Sequence, residues 1–194
     1  MARQGRPVTL VDLDVVEPVY TLRPIQDELT ALGVSIIAKK KHDTFGLGET
    51  GTTITPASRW ALRRTGDIIL DIGYGVQGTR TLNLLEGGWT DPDLMIIAVI
   101  NISRPMTGGL NDIIEHVREM GRVDALLNNT HLAEETTVEV VQEGARVVTA
   151  AAKALSLPMV ATSCIEEIAR EIGDKDCMGN PVRSLTRFMQ RAFW

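Results

Sequence analysis

The chain has 194 residues, 44% of them hydrophobic, so it can bury a full core, and one domain over residues 1–194 is the simplest expectation. A net charge of −5 argues against a nucleic-acid partner, because phosphate binding needs clustered Lys and Arg and the tightest cluster is Lys39-Lys40-Lys41. The sequence contains neither a leader pattern near its start nor an apolar stretch of membrane-spanning length, so we expect a cytoplasmic protein without stable membrane insertion.

The first part of the chain predicts a β-α-β unit. Val8–Leu13 is a short apolar strand, and apolar residues at helical spacing indicate a helix over residues 23–33, with Pro24 in its first turn and Gly33 at its end. Val34–Ala38 predicts the next strand. The polar Gly- and Thr-rich stretch that follows, residues 39–56, predicts a mobile loop over a site.

The rest of the chain alternates strand and helix signals regularly. The predicted helices are 57–64, 76–85, 109–120, 136–155 and 165–172, and the predicted strands are 68–70, 94–100, 123–127 and 158–161. This order predicts a three-layer α/β fold: a mostly parallel sheet of about six strands with helices on both faces. Beyond the break at residues 179–181, we expect a C-terminal helical tail over residues 182–194.

Several apolar runs stop on polar residues, and parallel strands bring such ends to one edge of a sheet. Asp12 and Asp14 close the first strand two residues apart, so both carboxylates face the same way and could share one hard cation or one water molecule. A strand-end turn is the structural alternative, because Asp is common where strands stop.

A second carboxylate follows the same rule. The run Ile68–Leu70 delivers Asp71, and Gly73 and Gly75 then allow a sharp turn and a close approach of backbone to a ligand. A carboxylate with exposed backbone N–H groups suits a metal ion bound to phosphate. An ordinary glycine turn is the alternative. Arg104, beyond a later strand, could reach a phosphate or a partner's carboxylate, or lie on the surface.

These strand ends resemble, in their order along the chain, the MinD/ParA-type branch of P-loop NTPases. A third matching segment is Leu-Asn-Asn-Thr-His-Leu at residues 127–132. The similarity to these CobQ/CobB/MinD/ParA nucleotide-binding domains extends from about residue 7 to about residue 161. It implies ATP and Mg²⁺ as cofactors. Asp12 and Asp14 would then lie beside the attacking water and the metal, and Asp71 would act on Mg²⁺, often through water.

The same resemblance implies further roles. Gly73 and Gly75 would belong to the moving switch after the Walker B strand, and Asn128, with Asn129 as the close alternative, would read the nucleotide base. The protein would be a homodimer-forming switch or accessory ATPase that acts on a protein partner the sequence does not identify.

One departure from the family matters as much as the match. The phosphate-binding pattern G-x-x-x-x-G-K-[ST] occurs nowhere in the 194 residues, and only seven residues precede Val8. Residues 1–7 resemble the tail of the helix that should follow that loop. Either the chain starts late, or the scaffold is used without hydrolysis, or the neighbours of the missing central strand pair directly. For the chain as given we expect weak or absent ATP hydrolysis.

Two other functions compete with the nucleotide switch. The first is a non-catalytic interaction subunit that kept the fold and lost the loop. The second is a dinucleotide-binding oxidoreductase, since Gly46, Gly48 and Gly51 form a literal G-x-G-x-x-G with Asp71 twenty positions after Gly51. However, this pattern neither follows a strand directly nor opens a helix.

Overall fold

The computed structural model describes residues 1–14, 22, 25–38 and 55–188. The chain divides into two compact units, Met1–Leu94 and Met95–Trp194, and each is described here by itself. Whether the two units act as one domain stays a prediction.

The first unit is built on three parallel strands in the order β2-β1-β3. Its elements are β1 (Val8–Leu13), α1 (Gln26–Ala31), β2 (Val34–Ile37), a 3₁₀ helix (Pro56–Arg63), β3 (Asp67–Ile72), α2 (Gly75–Thr79) and a second 3₁₀ helix (Arg80–Leu84). The central strand β1 pairs with β3 over its whole length, from Val8 opposite Asp67 to Leu13 opposite Ile72. Apolar residues of both sheet and helices form its core, which includes Val11, Leu13, Ile37, Ala61 and Leu85.

The second unit contains four parallel strands in the order β4-β5-β6-β7. Its elements are β4 (Ile97–Ile100), α3 (Leu110–Glu119), β5 (Ala125–Asn128), α4 (Val138–Leu155), β6 (Met159–Ile165), α5 (Glu166–Ile172) and β7 (Val182–Leu185), with short 3₁₀ turns at Pro105–Thr107 and Ala133–Glu135. Apolar faces of α3 and α4 cover one face of the sheet.

Local signals explain the long helix α4. The side chain of Thr137 accepts a hydrogen bond from the backbone N–H of Val140, which caps the first turn. Ala145, Val148 and Ala152 recur at helical spacing and are buried, so this face packs on the sheet. The helix ends at Ser156, whose φ of 57° lies in the left-handed region.

The predicted fold class is confirmed: parallel strands alternate with helices. The described residues contain seven strands rather than six, because the helix predicted from residue 182 is wrong at its start, where β7 forms instead. Val182–Leu185 pairs with Thr162–Ile165 and so satisfies backbone groups of β6 that an edge would leave exposed. Residues 189–194 lie outside the described part of the chain.

Two other sequence features also fall outside it. The predicted loop 39–56 is described only at its last two residues, so Lys39-Lys40-Lys41 and the glycine pattern at Gly46, Gly48 and Gly51 are not placed. Among the helices that the structure does describe, none has the length and apolar character needed to span a bilayer.

Candidate functional site

Three carboxylates meet at the end of the first unit's sheet. Asp12 and Asp71 are register partners on the neighbouring parallel strands β1 and β3, which lie about 4.8 Å apart. Partners in a parallel ladder present their side chains on the same face. Asp14 comes just after β1, and its backbone N–H donates to Asp12 Oδ1 at 3.2 Å. The structure therefore brings together the carboxylates that the sequence analysis singled out.

Burial and mutual repulsion set the charge of this cluster. Desolvation, with the charges of Asp12 and Asp14 adding to it, raises the pKa of Asp71 from 3.8 to about 6. Asp12 is itself buried, with 7% of its surface exposed. Ionisation of Asp71 is thus disfavoured by burial and by the two neighbouring carboxylates. We call residues Asp12, Asp14 and Asp71 the carboxylate cluster.

This cluster is not a ready-made metal cage. Over the described ranges 1–14, 25–38 and 55–188, no group of three or more His, Cys, Asp or Glu side chains is arranged to hold a metal ion by itself. Mg²⁺ needs less from a protein, because it keeps several waters and is usually bound by one or two carboxylates together with substrate phosphates. The donor set fits that mode of binding.

A tight glycine turn follows β3. Gly75 has a φ of 66°, a left-handed conformation that favours glycine. Gly78 packs directly on the preceding backbone, since a Cβ built there would lie 1.5 Å from the carbonyl oxygen of Gly73. The turn from β3 into α2 therefore needs the left-handed backbone of Gly75 and leaves no room for a side chain at Gly78. Gly73 and Gly75 lie beside the carboxylate cluster in sequence, and both are buried.

In the second unit, Asn128 ends β5 and is fully buried. Its amide nitrogen donates to the carbonyl of Val141 and to Thr162 Oγ1, both at 3.2 Å. Its Oδ1 accepts from the backbone N–H of Thr130 and from Thr130 Oγ1, at 3.2 and 2.7 Å. Both amide donors and both acceptor positions are thus used within the protein. Asn128 can reach a nucleotide base only by breaking these bonds.

The hydrogen bonds continue from Asn128 to a buried acid. Thr162 Oγ1 donates to Asp176 Oδ2 at 2.6 Å, and Asp176 also accepts from the side chain of Asn180 and from backbone N–H groups of residues 178 and 180. Burial would raise the pKa of Asp176, but these hydrogen bonds outweigh it and hold the pKa below its usual value. This Asn128–Asp176 network fixes the loop before β7.

Asn129 faces the opposite way from Asn128, as successive residues at a strand end do. It is only half-buried, and its Oδ1 accepts a hydrogen bond from Ser163 Oγ at 2.9 Å. Among the described residues, the amide nitrogen of Asn129 donates no hydrogen bond. Of the two asparagines, Asn129 is the one that can offer a donor to a ligand.

Arg104 follows β4 and is exposed. Its backbone N–H donates to the carbonyl of Asn101, which closes the turn after that strand. The side chain of Asn101 makes two hydrogen bonds to the backbone of His131, on the loop after β5. Its amide nitrogen donates to the His131 carbonyl at 3.2 Å, and its Oδ1 accepts from the His131 N–H at 3.3 Å. Arg104 and Asn129 therefore lie at the carboxyl edge of the second unit's sheet, where α/β folds bind ligands.

The predicted site residues divide between the two units. Asp12, Asp14, Asp71, Gly73 and Gly75 belong to the first, and Asn128, Asn129 and Arg104 to the second. Sequence reasoning did not single out Asp176, and it placed Arg187 in a helical tail, whereas Arg187 follows β7 and contacts Glu134. The signal that could have revealed β7 is the Gly-Asn-Pro break just before Val182, a turn signal followed by a short run with a β-branched residue.

Comparison with known proteins adds no assignment. No family model, curated protein or solved structure matches this chain.

Proposed function

We propose that this chain is a MinD/ParA-like adenine-nucleotide-binding protein that acts as a Mg²⁺-dependent switch. The observation that carries the proposal is the carboxylate cluster: Asp71 lies in register with Asp12 and close to Asp14, and the pKa of Asp71 is raised to about 6. A divalent cation would remove this repulsion, and phosphate oxygens and water would complete its coordination.

The other groups have roles consistent with this proposal. Asp71 holds Mg²⁺, often through water, and Asp14 with Asp12 orients the attacking water and accepts its proton. Gly73 and Gly75 supply a turn that can change with the state of the ligand. The base-reading role that the resemblance implies for Asn128 or Asn129 suits Asn129 better, because Asn128 is fully hydrogen-bonded within the second unit. Because the 194 residues contain no phosphate-binding lysine loop, we expect weak Mg-ATP binding and slow or absent hydrolysis.

Calorimetric titration with Mg-ATP tests the proposal. We expect saturable binding by the native chain and a loss of affinity of roughly tenfold or more in Asp71→Asn, because the cation loses a charged ligand. Asp93→Asn is the matched control, since Asp93 is an exposed carboxylate of the same unit. Equal affinities for the native chain and Asp71→Asn would contradict the assignment of Asp71.

A non-catalytic interaction subunit is the second candidate. The observation that favours it is the strand β4, which buries Ala98 and Ile100 but leaves Ile97 36% and Val99 59% exposed. Absence of saturable binding at millimolar Mg-ATP supports this candidate over the first. Sedimentation with and without Mg-ATP separates them further, because a nucleotide switch is expected to change between monomer and homodimer.

The dinucleotide hypothesis has its own test. Titration with NAD should give no saturable binding if the nucleotide switch is correct. Binding that weakens in Gly48→Ala would instead establish the oxidoreductase hypothesis, because that substitution affects only the glycine pattern.

A further inference from the structure

A short basic helix of the first unit carries an exposed tryptophan. The 3₁₀ helix Pro56–Arg63 packs on its unit through Ser58 and Ala61, which are 1% and 0% exposed. Trp60, by contrast, is 45% exposed. We call the four exposed residues Arg59, Trp60, Arg63 and Arg64 the Arg–Trp patch. In a chain with a net charge of −5, this patch is a local concentration of positive charge.

The indole ring of Trp60 contacts two of these arginines. The Cζ atoms of Arg59 and Arg63 lie over the ring, 5.2 and 4.4 Å from its centroid. This cation–π attraction acts on the charge of the guanidinium groups and uses none of their N–H donors in hydrogen bonds to oxygen. The two side chains are therefore partly ordered before any ligand binds, which lowers the entropy cost of binding.

Glu86 is the acidic residue that pairs with the Arg–Trp patch. Its backbone N–H donates to the carbonyl of Arg59 at 2.8 Å, which holds it beside the helix. Its Oε2 lies 3.9 Å from the Arg59 guanidinium and its Oε1 lies 3.9 Å from that of Arg63, too far for a hydrogen bond. Within the described part of the chain, the arginine side chains of the patch donate no hydrogen bond and Arg64 forms no ion pair, so their donors are available to a ligand.

We infer that the Arg–Trp patch binds an acidic segment of a partner protein. A carboxylate accepts two parallel hydrogen bonds from a guanidinium group, and three arginines within six residues can engage several carboxylates of one segment. Three positive charges face the single carboxylate of Glu86, so an acidic segment complements the charge of the patch. Tryptophan and arginine are also enriched among the residues that dominate the binding energy of protein interfaces.

Two other anionic partners fit this patch less well. A nucleobase would have to displace a guanidinium group in order to stack on the face that it covers. A helix that lies on a membrane needs an apolar face as well as a basic one, whereas this helix exposes Trp60 as its one large apolar side chain and keeps Leu62 half-buried. Protein carboxylates therefore match the exposed chemistry best.

Fluorescence anisotropy with a fluorescein-labelled oligoglutamate peptide tests the inference, in buffer without Mg²⁺ or ATP. We expect saturable binding at low ionic strength, and none of an oligoglutamine peptide of the same length. Arg63→Gln should weaken binding roughly threefold, and replacement of all three arginines by Gln should weaken it roughly tenfold or more. Arg80→Gln is the matched control, because it removes an exposed arginine of the same unit that contacts Gln77, and it should leave the affinity unchanged.

Glu86→Gln gives a test of opposite sign. It removes the carboxylate that competes for Arg59 and Arg63, so the oligoglutamate peptide should bind roughly threefold more tightly. Asp93→Asn makes the same change of net charge at another exposed position of the unit and should leave the affinity unchanged. Because all of these side chains are exposed, circular dichroism should show the same melting temperature for each variant.

Four results would overturn the inference. The first is an absence of saturable oligoglutamate binding, and the second is an equal loss in Arg63→Gln and Arg80→Gln, since binding would then depend on overall charge. The third is tighter binding to phosphatidylserine vesicles than to the peptide, which would identify a lipid surface as the ligand. The fourth is self-association in sedimentation that Arg63→Gln abolishes, which would identify a second copy of the chain as the partner.

Discussion

The carboxylate cluster of the first unit and the Asn128–Asp176 network of the second both consist of polar groups at strand ends. They differ in whether neighbouring groups repel or stabilise them. Asp12, Asp14 and Asp71 repel one another, and the pKa of Asp71 is raised to about 6. In the second unit each polar group finds partners, and the pKa of Asp176 is lowered. A similar sequence signal thus produces mutually repelling carboxylates in one place and a network with all its hydrogen bonds formed in the other.

The difference separates ligand binding from folding. Carboxylates that repel one another gain free energy from a cation placed between them, which favours binding. A buried amide with all its donors and acceptors used gains nothing from a ligand and loses much when a partner is removed. The most buried polar residue at a strand end is therefore the poorer candidate for a binding residue.

Asn128→Ala should have the largest effect on stability. It removes four hydrogen bonds to buried groups of Thr130, Val141 and Thr162, so we expect the free energy of unfolding to fall by about 3 kcal/mol or more. Asn129→Ala, next to it on the half-buried side, should cost less than about 1 kcal/mol, for the hydrogen bond with Ser163. Urea denaturation of the two variants measures the contrast, and equal losses would refute the proposed division between the neighbouring asparagines.

Gly144→Ala should come next, because it forces α4 away from the same network. A Cβ at Gly144 would lie 2.3 Å from Thr130 Oγ1 and 2.7 Å from Asn128 Oδ1. We expect a loss of about 2–3 kcal/mol, as for overpacked cores. Gly108→Ala is the control, since its Cβ would meet nothing closer than 3.6 Å. Thermal unfolding followed by circular dichroism compares them; a similar melting temperature for both variants would contradict this account.

Sequence patterning predicted much of this fold because the strands and helices carry strong periodic signals. Val8–Leu13 is a strand with the predicted bounds, and α3, α4 and α5 begin within two residues of their predicted positions. Long-range pairing explains the failures. Arg183, Arg187 and Arg191 recur at helical spacing, yet β6 recruits Val182–Leu185 as a strand through backbone hydrogen bonds that local propensity does not report.

The site was predictable in part for a related reason. That Asp12 and Asp71 end adjacent strands follows from parallel topology, so the sequence could bring them together. The roles of Asn128 and Asn129 could not be separated in sequence, because the parity of residues at a strand end depends on where the strand stops. β5 includes Asn128 and turns it towards α4, which places Asn129 on the opposite side.

Asp71→Asn should change stability in the opposite direction from Asn128→Ala. The pKa of Asp71 is raised in the folded state, so between about pH 4 and pH 6 this carboxyl is ionised in the unfolded chain but still protonated in the folded one. The native chain therefore loses stability as pH rises through this range. Without Mg²⁺ at neutral pH, the variant should be more stable by about 1–3 kcal/mol, since it removes this buried charge. Below pH 4 the two proteins should be alike. Urea denaturation across this range, without metal, tests the sign; a variant destabilised at neutral pH would contradict it.

Ala133→Gly should have the smallest effect and is a test of the loop beside the saturated network. Ala133 has a φ of 50°, a conformation that costs a non-glycine residue about 1 kcal/mol, while its backbone groups keep hydrogen bonds to His131 and Thr136. Glycine removes this strain but gains freedom in the unfolded chain, so we expect a net stabilisation of about 0.5 kcal/mol or less. Ala154→Gly, at an exposed position inside α4, should instead lose about 1 kcal/mol. The same chemical change is predicted to raise the free energy of unfolding at one position and to lower it at the other. Denaturation curves of the two variants therefore separate backbone strain from side-chain contacts. A lower free energy of unfolding in both variants would show that Ala133 is not strained.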